Sequence, residues 1–192
     1  MKILGEYIKD KKLKELSTLI NKRIWLIKCS NLGANLKENI YTSNLFEIPF
    51  FWKNEFGIEQ SKKLEFQCEW NEEEETLIDY YNLKIKVAER EKFAGNFENI
   101  LTQNSSSGIN SNISFSEFII SKILILSREE VADQQIEIRH DEGILFIDKN
   151  GNKILLSAEI KCTGQVEFIN NLSVINNRIK ELKIRKTLGN TV

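Results

Sequence analysis

The sequence predicts an α+β domain, a mostly antiparallel sheet with an N-terminal and a C-terminal helix packed against it. Three observations predict this class. Several short runs alternate apolar with polar residues, the period of a strand with one buried face. Two apolar runs flank Asp148-Lys149-Asn150-Gly151, a turn sequence that joins antiparallel neighbours. Helical spacing is confined to the two ends of the chain, and no succession of βα units calls for a doubly wound sheet. Nothing repeats at a fixed period, so no solenoid or propeller is expected.

The elements follow in chain order. Residues 9–21 read as an amphipathic helix capped by Asp10, with Leu13, Leu16 and Ile20 on one face and the lysines in water. Residues 23–29 (RIWLIKC) suit a strand covered on both faces. Residues 46–52 (FEIPFFW) form the densest aromatic patch, and Pro49 within it predicts an edge strand or an irregular crossing. Residues 64–70 alternate, with Leu64, Phe66, Cys68 and Trp70 on one side and Glu65, Gln67 and Glu69 on the other. Over 76–92 the pattern is ambiguous; Leu83, Ile85 and Val87 alternate with lysines and favour a strand, while 88–92 would tolerate a helix. Residues 115–126 read as strand with a bulge and 136–139 as a short strand. Residues 144–148 and 153–158 form the hairpin, in which Gly151 supplies a positive φ and Asp148 accepts hydrogen bonds from the turn backbone. Residues 166–169 add a strand. Asn171 or Ser173 then caps a terminal helix carrying Ile175, Ile179 and Leu182 on one face, with Lys183, Arg185 and Lys186 in its last turn.

A chain of 192 residues buries a core without staples and reads as a single domain over 1–192. A subdomain boundary would fall in the polar stretch 103–112, QNSSSGINSN. The start is charged by residue 6 and never reaches an apolar leader, and no run is long enough to span a membrane. Cys29, Cys68 and Cys162 are odd in number, far apart and beside strand-like residues, which suits thiols in a reducing compartment. The expected location is cytoplasmic.

Charge is unevenly spread. Residues 1–28 carry eight Lys/Arg against three Asp/Glu, residues 171–192 five against one, and residues 29–170 carry 14 against 24. Two basic ends therefore flank an acidic body, and they neutralise it if they pack against it.

Few residues offer chemistry. His140 is the only histidine and lies in Arg139-His140-Asp141-Glu142-Gly143, which reads as an exposed turn between two strands. It has no local nucleophile or ligand set, and the cysteines have no metal-ligand spacing. Glu65, Glu69, Glu72 and Asp79 offer paired carboxylates, but 28 acids make such pairs inevitable. The sequence thus predicts no enzyme, no cofactor and no metal site. Glu69, Trp70, Glu72, Glu73, Glu74, Glu75, Asp79 and Tyr80 combine aromatic rings with carboxylates. That is the chemistry of a surface for a basic protein: rings anchor and charges steer. The bland alternative is that Trp70, on the apolar face of its strand, belongs to the core.

In kind, the chain resembles the bacterial immunity proteins, small motif-free cytoplasmic proteins that block a cognate toxin by binding it. The resemblance implies a protein-binding inhibitor whose partner is a toxin, for example a basic nuclease. It transfers no residue, and many such proteins are more acidic than this chain, whose net charge is -1. The alternative is a nucleic-acid-associated protein using Lys9, Lys11, Lys12 and Lys14 at one end and Arg178, Lys180, Lys183, Arg185 and Lys186 at the other. The acidic body and the absence of a recognition motif make nucleic acid the weaker partner.

Overall fold

The computed structural model describes residues 1–89, 111–158 and 164–189, with the side chain of Glu89 excepted. Among these, twelve strands form one mostly antiparallel sheet, with one short helix near each end of the chain. The fold is α+β. The strands are β1 Lys2–Leu4, β2 Arg23–Ser30, β3 Gly33–Asn35, β4 Ile40–Ser43, β5 Leu45–Lys53, β6 Glu59–Glu73, β7 Ile78–Glu89, β8 Ser111–Asp133, β9 Ile136–Asp148, β10 Lys153–Ala158, β11 Val166–Ile169 and β12 Lys183–Leu188. The helices are α1 Asp10–Ser17 and α2 Leu172–Arg178, the latter followed by a single 3-10 turn, Ile179–Glu181. No helix among the described residues is long and apolar enough to cross a membrane.

The sheet order is β3-β4-β11-β10-β9-β8-β2-β5-β6-β7, with β1 beside β9 and β12 beside β8. The 23-residue β8 is the spine. Its first half pairs with β2 and its second half with β9. Register slips interrupt both ladders, and each adds local twist. The sheet folds over on itself, so that β7 packs against β9 and β6 approaches β10 and β11. One large core fills the fold, uniting Ile24, Phe46, Phe50 and Phe66 of one limb with Ile144, Phe146, Leu156 and Phe168 of the other. Each such fully buried side chain contributes about 1.5–3 kcal/mol. A second cluster, Leu126, Leu145, Leu155 and Ile169, lies on the outer face under Ile175 of α2. A third, Leu4, Ile136 and Ile138 with Ile78 and Tyr80 against it, closes the end where β1 meets β9.

The expected hairpin is present. Residues 144–147 of β9 pair antiparallel with 153–156 of β10, Gly151 has φ 84°, and Asp148 Oδ1 accepts from Asn150 N and Asn152 N at 2.8 Å. Asn171 is the cap of α2, its side-chain oxygen accepting from Ser173 N at 3.0 Å and Val174 N at 3.4 Å.

Several expectations are corrected. Lys9, not Asp10, is the N-cap residue of α1, and it makes no side-chain cap bond. The helix ends at Ser17, where Ser17 and Thr18 hydroxyls back-bond to Lys14 O and Glu15 O. Pro49 lies on an interior strand, because β5 is paired on both sides. The β2–β5 register slips between Arg23/Phe51 and Lys28/Glu47, and Pro49 falls within that interruption while pairing with Lys63 of β6 on the other side. The terminal helix is shorter than its apolar spacing implies. Lys183, Arg185 and Lys186 lie on β12, antiparallel to β8, so they meet no helix dipole, and Arg178 is the basic residue in the last turn of α2. Finally, His140 is no exposed turn residue. Residues 136–148 form one continuous strand, and His140 is 2% exposed within it. Within residues 88–92 only Ala88 and the backbone of Glu89 are described, and both are strand; of the stretch 103–112 only Ser111 and Asn112 are described, where they open β8. Cys162 also lies outside the described residues.

Candidate functional site: an acidic hairpin and the cleft beside it

The eight acidic and aromatic residues expected to bind a partner lie on the β6–β7 hairpin. Trp70 pairs with Tyr81 and Glu72 with Asp79, so these four side chains share one face. Glu69, Glu73 and Tyr80 take the other face. There Glu69 binds Lys84 at 2.8 Å and Glu73 binds Lys2 at 2.8 Å. Tyr80 packs against the Leu4, Ile136 and Ile138 cluster. Glu74 and Glu75 form the exposed tip with Leu77, which has φ 55° and is 70% exposed. The hairpin therefore divides the expected surface between two faces and a tip. Trp70 is on the apolar face of its strand but past the limit of the core, at 46% exposure. Glu72 and Asp79, directly opposed and alike in charge, repel each other.

Beside this hairpin is a cleft of about 250 Å³ between β7 and β9. Asp79, Tyr80 and Tyr81 line it from β7, Ile138, His140 and Glu142 from β9, Arg128 and Glu130 from β8, and Glu181 from the 3-10 turn. The register explains the grouping. Arg128 pairs with His140 and Glu130 with Ile138, which places these side chains on one face. Between Leu126↔Gly143 and Ser127↔Asp141 the ladder slips by one residue, leaving Glu142 as the extra residue of β9. Glu142 is buried and forms an ion pair with Arg128 through two guanidinium nitrogens; Glu181 lies 3.9 Å from the same guanidinium.

His140 is the unusual member. Its ring lies 4.4 Å from that of Tyr81, and neither ring nitrogen has a hydrogen-bond partner among the described residues. Burial pushes its pKa down to about 4, with Glu142 opposing and Arg128 reinforcing the shift, so the imidazole is neutral at physiological pH. A neutral imidazole carries one donor and one acceptor, and leaving such groups unsatisfied costs about 1–3 kcal/mol each. Buried polar atoms are otherwise almost always paired, so this side chain calls for a reason.

Asp141, the next residue, is fully buried and fully bonded. Arg185 of β12 donates to Oδ1 at 2.7 Å and to Oδ2 at 2.6 Å, and Ile8 N donates to Oδ2 at 2.6 Å. That arrangement joins the N-terminal segment, β9 and β12, and it holds Asp141 out of contact with solvent.

The remaining chemical candidates separate. Glu65 is bound by Lys63 at 2.8 Å and Lys86 at 3.5 Å, away from the cleft. Cys29 is a buried thiol, its pKa pushed up to about 11 by desolvation, and its Sγ points to Ser111 O. Neither Cys29 nor Cys68 bonds the His140 ring. No group of three or more metal-ligating side chains converges among the described residues. Sequence reasoning missed Arg128, Glu130, Glu142 and Glu181 as the cleft's lining; the run of four charged or polar residues from Arg139 to Glu142 inside a β-branched context was the available signal.

Several of the basic terminal residues are neutralised. Arg178 is ion-paired with Glu167, Lys183 with Glu129 at 2.7 Å, and Arg185 with Asp141. No family model matches the chain, and neither a curated protein nor a solved structure matches it.

Proposed function

We propose that the protein is a binding module that neutralises a basic protein partner in the cytoplasm, an inhibitor of the immunity type acting on a toxin. The hairpin tip carries this reading. Trp70 and Leu77 are exposed beside Glu72, Glu74, Glu75 and Asp79, and none of these four carboxylates has an ion pair among the described residues. The opposed Glu72 and Asp79 cost the hairpin stability, and a cation docked between them reverses that cost. The exposed ring and leucine supply the desolvated anchors that charge alone does not. No reaction is proposed. A base whose pKa is about 4 is a poor proton acceptor at neutral pH, and no hydroxyl or thiol among the described residues bonds it. The nucleic-acid alternative is weakened at the C-terminal end, because Arg178, Lys183 and Arg185 each hold a carboxylate.

The test is co-expression with the product of the adjacent gene. The wild-type protein is expected to bind it and restore growth. Glu72→Lys/Glu74→Lys/Glu75→Lys is expected to slow association about tenfold or more and abolish protection, with thermal unfolding little changed. Unaltered binding in a folded triple variant would sink the reading.

A further inference from the structure

We infer that the cleft between β7 and β9 is the anchor pocket of that interface and receives a cationic side chain, arginine or lysine, from the basic partner. The inference rests on the protein-binding reading and adds the site and the group it takes. Four carboxylates, Asp79, Glu130, Glu142 and Glu181, face one guanidinium in the cleft, that of Arg128. Arg128 is already held by Glu142 and approached by Glu181, so the excess charge is negative and unspent on the outer side. Acidic residues alone would describe many surfaces. The second observation is His140, 2% exposed, in the lining of the cleft, with both ring nitrogens unpartnered among the described residues. Its acceptor nitrogen suits an N–H from a guanidinium or ammonium group. Its ring N–H needs an acceptor, which a bare cation lacks and a peptide carbonyl provides. A basic side chain borne on a peptide carries both kinds of group.

Size agrees with this occupant. At about 250 Å³ the cleft is smaller than the roughly 300–1,000 Å³ of pockets for drug-sized ligands, and it suits one side chain. Position agrees as well. Asp79 belongs both to the cleft and to the exposed acidic face, and Tyr81 in the cleft wall is the cross-strand partner of exposed Trp70. A chain lying along the Trp70, Glu72 and Asp79 face thus passes the mouth of the cleft.

The only histidine of the chain makes the test direct. The imidazole resonances of the full-length protein would be followed by NMR during titration with N-acetyl-arginine methylamide and, separately, with the neutral N-acetyl-norleucine methylamide. The expected result is a saturable shift of the His140 signals with the arginine probe alone. Asp79→Asn and Glu130→Gln, at the solvent side of the cleft, should each weaken it roughly two- to fivefold, as for half-exposed ion pairs. No shift, or equal shifts from both probes, overturns the pocket. The probe needs no partner, so it decides the pocket even if the hairpin reversal leaves partner binding intact and removes the functional reading. Conversely, if partner binding fails on hairpin reversal but ignores Asp79→Asn/Glu130→Gln/Glu181→Gln, the pocket is overturned and the functional reading stands.

Discussion

At the scale of single residues, burial decides what each polar group does. His140 is held neutral by desolvation, with a pKa of about 4 against the ordinary 6.5. Between those values the unfolded chain binds a proton that the folded chain refuses. Stability is therefore full above the unfolded pKa and falls as pH drops towards 4. His140→Gln should remove this dependence. Urea unfolding near pH 7 and about pH 5 is expected to show wild type losing about 2 kcal/mol more than the variant. Equal losses would show that the ring is not buried in its neutral form. The sequence did not reveal this burial. Four consecutive polar residues, Arg139 to Glu142, read as a turn because isolated charges avoid cores. What makes them tolerable inside a strand is supplied from far along the chain: Arg185 for Asp141 and Arg128 for Glu142. Asp148, by contrast, was legible, because its bonds to Asn150 N and Asn152 N are local.

At the scale of elements, the β6–β7 hairpin carries a turn residue that is both strained and exposed. Leu77 occupies the left-handed region at φ 55°, with its side chain 70% exposed. A non-glycine residue there costs about 1–2 kcal/mol, and glycine would lose part of that gain to its greater unfolded freedom. Leu77→Gly should therefore stabilise the protein by roughly 0.5–1 kcal/mol while weakening partner binding. A chemical unfolding curve and a binding titration on the same sample check both halves; a variant that binds as well as wild type removes Leu77 from the interface. The other elements divide by the range of their signals. The β9–β10 hairpin is legible because turn chemistry and strand alternation agree within a few residues. Residues 182–186 are not, because helical apolar spacing continues past α2 while the unpaired edge of β8 recruits the segment as β12. Pro49 likewise marks an irregularity correctly, but only the β2–β5 register slip shows that the irregularity lies inside the sheet.

At the scale of the whole molecule, side chains from the two basic ends bind carboxylates of the acidic body. Lys2 reaches Glu73, Tyr7 Oη donates to Glu129 at 2.8 Å, Lys183 reaches Glu129 at 2.7 Å, and Arg185 reaches Asp141. The Arg185, Asp141 and Ile8 cluster clasps both ends to β9, with the Arg185 guanidinium also 4.8 Å from the Tyr7 ring centroid. Gly5 permits this approach: a Cβ there would lie 2.8 Å from Arg139 O, at φ 84°. Breaking a buried pair strands a charge, so Arg185→Ala should destabilise by about 3–5 kcal/mol. Replacing both partners, Asp141→Leu/Arg185→Met, should cost markedly less than the two single changes added together. Denaturant midpoints for the four proteins give the coupling; additive losses would mean that the pair is not a clasp.

The sequence by itself determined the α+β class, the hairpin at Gly151, a helix cap at Asn171 or Ser173 and the concentration of carboxylates and rings at residues 69–80. These depend on backbone preferences and alternation over a few residues, which the chain states locally. Only the tertiary structure decided that Trp70 is exposed, that the charged run of β9 is buried, that the basic C-terminal residues form a strand, and that His140 lines a cleft with Arg128, Glu130 and Glu142. Those outcomes depend on which distant strands meet and on the desolvation that their meeting imposes. No local pattern encodes either one.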